Sequence, residues 1–109
     1  MSNAPSKNVK SPVELSFVIP VYNASQTIGP LVEKIHGIAA ELSFEIVLVN
    51  DGSADDSEQV CAKLAQKFPQ TVTFVHLSRN FGEHNAVLAG LSQTRGEYIG
   101  VLDDDGQNP

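Results

Sequence analysis

Three aspartates stand side by side at residues 103–105, within the stretch VLDDDGQNP at 101–109. Adjacent carboxylates repel one another, so the arrangement costs free energy unless a cation or hydrogen bonds compensate. Residues two apart in an extended chain share a face, so Asp103 and Asp105 can meet one ion while Asp104 points elsewhere. Gln107 offers a further carbonyl oxygen, and an all-oxygen set of ligands suits Mg²⁺ or Mn²⁺. The stretch therefore predicts a divalent metal site.

Polar segments follow each of four apolar runs in the chain. They are YNAS at 22–25, NDGSADD at 50–56, SRNFGEHN at 78–85 and DDDGQNP at 103–109. In an open parallel sheet, ligands bind beyond the carboxyl ends of the strands, near the point where the strand order reverses. We therefore expect Asn23, Asp51 and Arg79 to meet the three aspartates around one rim.

The elements that must position these residues alternate between strands and helices. Apolar or β-branched runs predict strands at 15–22, 44–51, 71–77 and 97–104. Apolar residues at three-and-four spacing predict a helix in each of the three intervals between them. This order predicts parallel strands joined by right-handed crossovers, with helices on both faces. The predicted class is α/β, a doubly wound and mainly parallel sheet of the Rossmann type, truncated after the fourth strand.

The sequence also predicts how the helices begin and end. Ser25 or Thr27 is expected to cap the first helix, and Asp55 with Glu58 has the spacing of a capping box for the second. The third helix is expected to run from about residue 82 to 94 and to bury an apolar stripe of Val87, Leu88 and Leu91. Gly96 is expected to end it as a left-handed cap.

Composition limits the classes of function. Thirteen acidic against seven basic residues give a formal net charge of −6, which argues against nonspecific binding to nucleic acid or to an anionic membrane. The single cysteine, Cys61, excludes an intramolecular disulfide and is expected to be a buried thiol in a reducing compartment. No apolar stretch approaches the ~20 residues of a membrane span, and the polar lead at 1–14 lacks the apolar core of a signal peptide. We expect a cytoplasmic location and one domain, at 15–109.

Two common phosphate-binding loops are absent from the sequence. No G-x-G-x-x-G follows the first strand, and no G-x-x-x-x-G-K-[ST] occurs anywhere. A dinucleotide-dependent dehydrogenase and a P-loop NTPase are therefore disfavoured. A phosphorylated ligand at this acidic rim would need a bridging cation.

Four stretches together resemble a known family. VIPVYN at 18–23, IVLVNDGSADDS at 46–57, LSRNFGEHNAVLAGL at 77–91 and GEYIGVLDDDGQNP at 96–109 are similar to the nucleotide-sugar-binding half of the GT-A-fold family 2 glycosyltransferases. The resemblance covers about residues 15 to 109. Within the family, SRNFG and the D-x-D-x-Q-x-P ending most resemble the branch that moves a sugar from a nucleotide onto a polyprenyl phosphate, as in dolichyl-phosphate mannose synthase.

The resemblance implies roles for particular residues. Its candidate substrate-binding residues are Pro20, Tyr22, Asn23, Asp51, Arg79 and Asp104, and its candidate metal ligands are Asp103, Asp105 and Gln107. Pro20, Tyr22 and Asp51 would line the nucleoside pocket, with Asp51 accepting a hydrogen bond from the base or ribose. The metal would sit on the donor diphosphate, with Asp104 beside the nucleotide. Arg79 would contact a phosphate or the nucleotide, or would simply pair with a carboxylate.

The chain departs from the family pattern at two positions. Relatives often carry an acidic residue where this chain has Ala24, which leaves the choice of nucleotide open. The stretch D-x-D-x-Q usually has an apolar residue where Gly106 stands, and glycine would loosen that loop.

The family's acceptor-binding half lies beyond the D-x-D stretch. The resemblance therefore implies a truncated enzyme whose acceptor site, any catalytic base and any membrane segment fall beyond residue 109. The acceptor in this branch would be a lipid phosphate, an ionised nucleophile that needs no base, so metal and positioning would carry most of the catalysis. The full-length relative would work at the cytoplasmic face of a membrane.

Two other classes of function compete with this interpretation. VLDDDG also fits the start of haloacid-dehalogenase-like phosphatases, with Asp103 as nucleophile and Asp105 as acid and base, although that motif normally stands near the start of a chain. Alternatively, the chain is a non-catalytic nucleotide-binding module. Its fourth strand would then present an open edge through which a homo-oligomer could form.

Overall fold

Four strands and three helices alternate over residues 12–104, the part of the chain that the computed structural model describes. They are β1 (Leu15–Val21), α1 (Ile28–Ile38), β2 (Phe44–Asp51), α2 (Ser57–Lys67), β3 (Val72–Leu77), α3 (Glu83–Leu91) and β4 (Tyr98–Val101). The predicted alternation is confirmed. None of these helices is long and apolar enough to cross a membrane.

The four strands form one parallel sheet in the order β3-β2-β1-β4. The chain moves outward from β1 through β2 to β3, and α3 then carries it back across to the other side of β1. The strand order therefore reverses between β1 and β4. The carboxyl ends of these two strands mark the place where a sheet of this kind forms its ligand crevice.

Helices cover both faces of the sheet, as predicted. On one face α1 and α2 pack on β1 and β2 through one apolar cluster, which includes Ile19, Val32, Leu48 and Leu64. On the other face α3 packs on Val47 and Val49 through Ala86. Because β1 and β2 are covered on both sides, their sequences are continuously apolar rather than alternating.

The packing of α3 differs from the prediction. The helix ends at Leu91 and buries Ala86 and Gly90, whereas Leu88 is 51% exposed. A Cβ atom at position 90 would lie 2.6 Å from Cγ1 of Val18, so the helix backbone approaches the sheet too closely for a larger residue. The close approach replaces the stripe of large side chains that the sequence pattern predicted for this helix.

The prediction that Gly96 forms a left-handed cap is wrong. Among the glycines at positions 12–104, positive φ angles occur at Gly52 and Gly82, while Ser92 ends α3. Gly96 is required for a different reason, because a Cβ atom there would lie 2.5 Å from the hydroxyl oxygen of Ser16.

Strand β4 lies at the edge of the described sheet. Its four residues pair with β1, from Leu15↔Tyr98 to Val18↔Val101, and no other strand among residues 12–104 pairs with it. Tyr98 is 67% exposed, and Ile99 and Val101 are also exposed. An edge with apolar side chains and unpaired backbone groups can pair with a second chain.

We predict that this edge makes the chain self-associate in a concentration-dependent way. Replacing Ile99 with lysine should reduce the association, because a charge on an edge strand opposes pairing. The same change at Ile38, which is 76% exposed on α1 and away from the edge, serves as the control. Sedimentation velocity over a range of concentrations measures the effect, and a wild-type chain that remains monomeric throughout would contradict the prediction.

The single thiol, Cys61, is fully buried on α2, which confirms the expectation from sequence. Burial raises its pKa from 9.0 to about 12, with a smaller contribution from the charge of Asp55. The reactive form of a thiol is the thiolate, so the folded chain should hold this group in an inert state.

A thiol reagent should therefore distinguish the folded from the unfolded chain. The rise in pKa alone lowers the thiolate fraction at pH 7 by about a thousandfold. We expect disulfide-exchange reagents to modify Cys61 at least about a hundredfold more slowly in buffer than in concentrated urea. Equal rates under the two conditions would show that the α2 face of the core is open to solvent.

Candidate functional site

The candidate site lies where β1 and β4 end. The backbone N–H of Leu102 donates to the carbonyl of Val18 at 3.0 Å and extends the contact between the two strands by one residue. The N–H of Tyr22 then donates to Oδ2 of Asp104 at 2.9 Å, and the hydroxyl of Thr27 donates to the backbone carbonyl of Asp104 at 3.2 Å. The loop after β4 is therefore fastened to the loop after β1, as the sequence predicted for this rim.

Pro20 and Tyr22 occupy the last part of β1 and the start of its loop. Pro20 is buried and lies two residues beyond the final β1–β4 pair, where its missing N–H breaks no pairing bond. Tyr22 is 49% exposed, so its ring is accessible at the rim. Of these two predicted pocket residues, Tyr22 alone presents an accessible side chain.

Asn23 joins the loop after β1 to the loop after β2. Its φ of +52° is a left-handed conformation that asparagine tolerates better than most residues. Its N–H donates to the hydroxyl oxygen of Ser53 at 3.0 Å, and its Oδ1 accepts the N–H of Ala54 at 2.8 Å. The structure thus uses the Asn23 side chain to hold two loops together.

Asp55 provides a second connection between the same loops. Its carboxylate accepts the N–H of Ser25 at 3.2 Å, and the N–H and hydroxyl of Ser57 at 2.9 and 2.6 Å. Thr27 makes no side-chain capping bond to α1, so that predicted cap does not form, whereas Asp55, predicted at the start of α2, accepts the N–H of its first residue, Ser57. The bond from the Ser57 hydroxyl is the main cause that lowers the pKa of Asp55 from 3.8 to about 2, against an opposing effect of desolvation.

Asp51 is 3% exposed at the end of β2 and connects to the loop after β3. Its Oδ1 accepts the N–H of Phe81 at 2.8 Å, and the Asn80 amide donates to its backbone carbonyl at 3.1 Å and to its Oδ2 at 3.4 Å. The next residue, Gly52, has a φ of +68°, and a Cβ atom there would lie 2.2 Å from the Asn80 nitrogen. The two loops therefore meet backbone to backbone.

Arg79 is exposed on the loop after β3. Its guanidinium carbon lies 4.8 Å from the centre of the Phe81 ring, a cation–π arrangement. Over residues 12–104 the ion pairs involve other residues, so the alternative that Arg79 pairs with a carboxylate does not apply within that range. Its charge remains available to an anion.

The predicted metal ligands are only partly within the described residues. Asp103 is exposed, while Asp105 and Gln107 lie outside residues 12–104. No group of three or more histidine, cysteine or acidic side chains that could hold a metal occurs in the described range. Asp104 accepts the N–H of Tyr22 and Asp103 is exposed, while the face expected to be shared by Asp103 and Asp105 stays a prediction because Asp105 lies outside the described residues. The oxygen donors at these positions suit Mg²⁺ or Mn²⁺.

A buried polar network behind the rim was missed at the sequence level. Asn50 is 1% exposed; its Oδ1 accepts the hydroxyl of Ser53 at 2.6 Å, and its Nδ2 donates to Nδ1 of His76 at 3.2 Å. Ser53 in turn accepts from Asn23. The signal that could have revealed this network is an asparagine at the end of an otherwise apolar buried strand, because buried polar groups require partners.

The arrangement as a whole is that of an α/β domain whose polar loops meet at its topological switch point, where sheets of this kind bind their ligands. Residues 16–109 match the sequence model of the family described as glycosyl transferase family 2. The chain belongs to this family, which confirms the resemblance found in the sequence. The phosphatase alternative is therefore not retained.

Curated relatives of the chain include transferases named for undecaprenyl phosphate. The chain is 42% identical over 97 residues to the undecaprenyl-phosphate 4-deoxy-4-formamido-L-arabinose transferase of Pseudomonas fluorescens, covering 87% of this chain and 29% of the relative. It is 44% identical over 101 residues to the enzyme of the same name from Pseudomonas aeruginosa, covering 90% of this chain and 30% of the relative. The chain thus spans less than a third of the length of these relatives.

Solved structures share the fold. The mannosyltransferase PcManGT of Pyrobaculum calidifontis, in complex with GDP-Man and Mn²⁺, matches with a TM-score of 0.75 at 22% identity, covering 90% of this chain and 29% of that one. TarS of S. aureus, in complex with UDP-GlcNAc, matches with a TM-score of 0.69 at 24% identity, covering 85% and 27% of the two chains. The predicted GT-A fold class is confirmed.

The lowered pKa of Asp55 predicts a pH-dependent contribution to stability. The unfolded chain titrates near 3.8 and the folded chain near 2, so the contribution is full above 3.8 and is lost as the pH falls towards 2. Replacing Asp55 with asparagine should therefore lower the free energy of unfolding at pH 7, and the deficit should shrink across that interval. Urea unfolding at several pH values measures it. Asp56→Asn is the control, and a deficit for Asp55→Asn that is independent of pH would contradict the prediction.

Proposed function

We propose that this chain is the donor-binding part of a glycosyltransferase that moves a sugar from a nucleotide diphosphate to a lipid phosphate of the polyprenyl class. The observation that carries the proposal is the bond from the Tyr22 N–H to the Asp104 carboxylate. It joins the loop expected to bind the nucleoside to the loop expected to bind the metal, at the switch point of the sheet. A nucleotide diphosphate bound there would span the two loops.

On this proposal the nucleoside lies against the exposed ring of Tyr22, with Pro20 forming the buried base of the loop. Asp51 has a double role. Its Oδ1 holds the loop after β3, whereas its Oδ2 has only the long contact to Asn80 within residues 12–104 and keeps capacity to accept a bond from the base or ribose. Asn23 acts by holding the rim loops together, and Asp104 lies beside the nucleotide.

The donor diphosphate would be held by a divalent cation and by Arg79. Asp103, together with Asp105 and Gln107, would provide the oxygen ligands for Mg²⁺ or Mn²⁺. Support comes from the structural neighbour PcManGT, which is described with GDP-Man and Mn²⁺. When bound, such a cation offsets the charge of the diphosphate and stabilises it as a leaving group. Because the chain has a net charge of −6, a cation must offset the repulsion between the acidic rim and an anionic donor for the donor to bind.

The acceptor is proposed from the named activity of the relatives, which act on undecaprenyl phosphate. An ionised phosphate oxygen attacks the sugar carbon directly, so the protein's task is to align the two substrates and to exclude water. The whole protein would carry out this transfer at the cytoplasmic face of a membrane. In the absence of an acceptor, this chain should bind the donor nucleotide without transferring the sugar.

Titration calorimetry of UDP and GDP into the chain, with and without Mn²⁺, tests the proposal. We expect binding of at least one nucleotide that strengthens with Mn²⁺, and a weakening of at least about tenfold in Asp105→Ala. Asp56→Asn removes an equal charge from the second loop and should bind as the wild-type chain does. Circular dichroism establishes that each variant is folded. Failure of the folded wild-type chain to bind either nucleotide, or equal binding without metal, would refute the proposal.

A further inference from the structure

A buried charged cluster lies at the end of the sheet opposite the candidate site. Glu45, near the start of β2, is 2% exposed, and its sheet partner Ser16 on β1 is fully buried. The Ser16 hydroxyl donates to Oε2 of Glu45 at 2.6 Å. A buried carboxylate is costly unless its oxygens are fully engaged, so this cluster needs further donors.

Those donors come from the connection that leads into β4. The backbone N–H of Arg95 donates to Oε2 of Glu45, and its Nε donates to Oε1 at 3.3 Å. The N–H of the next residue, Gly96, donates to the Ser16 hydroxyl at 2.8 Å. Two consecutive backbone groups ahead of β4 are thus bound by side chains from β1 and β2.

Backbone bonds also hold β4 along β1, from that of the Glu97 N–H to the Val13 carbonyl at 3.2 Å to that of the Leu102 N–H to the Val18 carbonyl at 3.0 Å. The side chains of the strand add less. The strand has four residues, pairs on one side within the described range, and leaves Tyr98, Ile99 and Val101 exposed. Packing of its side chains therefore contributes little to its register. The fit of Gly96 against Ser16, where a Cβ atom would lie 2.5 Å from the hydroxyl oxygen, fixes one point of the strand.

The register of β4 determines where the aspartates of the rim fall. A slip of one residue would move them by about 3.3 Å and would turn each side chain to the opposite face of the sheet. Asp103 lies seven residues after Gly96, roughly 23 Å away along an extended chain. A cluster at the far end of the sheet can therefore control the rim through the strand that joins them.

We infer that Glu45, supported by Ser16, is a positioning residue that fixes β4 and thereby places Asp103 and Asp104 for metal and nucleotide binding. The inference rests on the proposed function for its effect on binding. Its effect on β4 stands on the geometry alone. Glu45 contacts neither the metal loop nor the rim, so its influence passes through the strand.

The test compares Glu45→Gln with Val47→Ala. Glutamine keeps the shape of the side chain but presents an NH₂ group to donors that need an acceptor. Val47 lies two residues along β2 on the same face, packs against α3, and does not belong to the cluster. Ser16→Ala is a milder variant that keeps the test decisive if Glu45→Gln does not fold. All measurements use conditions in which each variant is folded by circular dichroism.

Two readouts separate positioning from general stability. Amide hydrogen exchange should become about tenfold faster at residues 95–104 in Glu45→Gln, with β1 to β3 protected as in the wild-type chain. Binding of nucleotide with Mn²⁺ should weaken by about tenfold in Glu45→Gln, while Val47→Ala binds normally. Ser16→Ala should show the same pattern with smaller changes.

The outcomes distinguish this inference from the proposed function. Normal binding by folded Glu45→Gln, or equal weakening in Val47→Ala, would overturn it. If the wild-type chain binds no nucleotide, the proposed function fails, and the exchange data alone decide whether the cluster fixes β4. Unchanged protection of residues 95–104 in both Glu45→Gln and Ser16→Ala would then overturn the inference.

Discussion

The parallel pairing of β1 with a neighbour on each side is the constraint on which the rest of the structure depends. Seven residue pairs join β1 to β2 and four join it to β4. The first four residues of β1 therefore pair with a strand on each side. Parallel neighbours require long crossovers, and the crossovers here carry helices that cover both faces. Because the order reverses at β1, the loops after β2 and β4 both bond to the loop that follows its carboxyl end. The candidate site residues within the described range are placed relative to that end of β1.

At this end of the sheet, the loops are held mainly by side chains from neighbouring loops. Asn23 and Asp55 join the first two loops, Asp51 joins the second to the third, and Asp104 joins the fourth to the first. Loops of this length have little secondary structure of their own, and their backbone donors need partners. The polar residues of the rim therefore hold the loops in place and are also the groups that could contact a ligand.

The sequence was sufficient to predict the sheet, because long apolar runs and their alternation with helical patterns leave few topologies for a chain of this size. Strand β2 was predicted at its observed bounds, 44–51. The sequence was insufficient for α3, since the closeness of a helix to a sheet depends on both partners and Gly90 alone does not reveal it. It was equally insufficient for Asn23 and Asp51, whose roles in holding loops depend on residues about thirty positions away. A pattern of residue types can place polar groups at a rim but cannot say which of them already have partners.

The contact between Gly52 and the backbone of Asn80 constrains how members of this lineage can diverge. Since the two loops touch through main-chain atoms, any side chain at position 52 would force them apart, and the Asn80 side chain supports the contact through its bonds to Asp51. The separation of the two loops on that side is therefore set by contact between their backbones. The exposed ring of Tyr22 and the exposed guanidinium of Arg79 are positions where a substitution would leave this backbone contact intact.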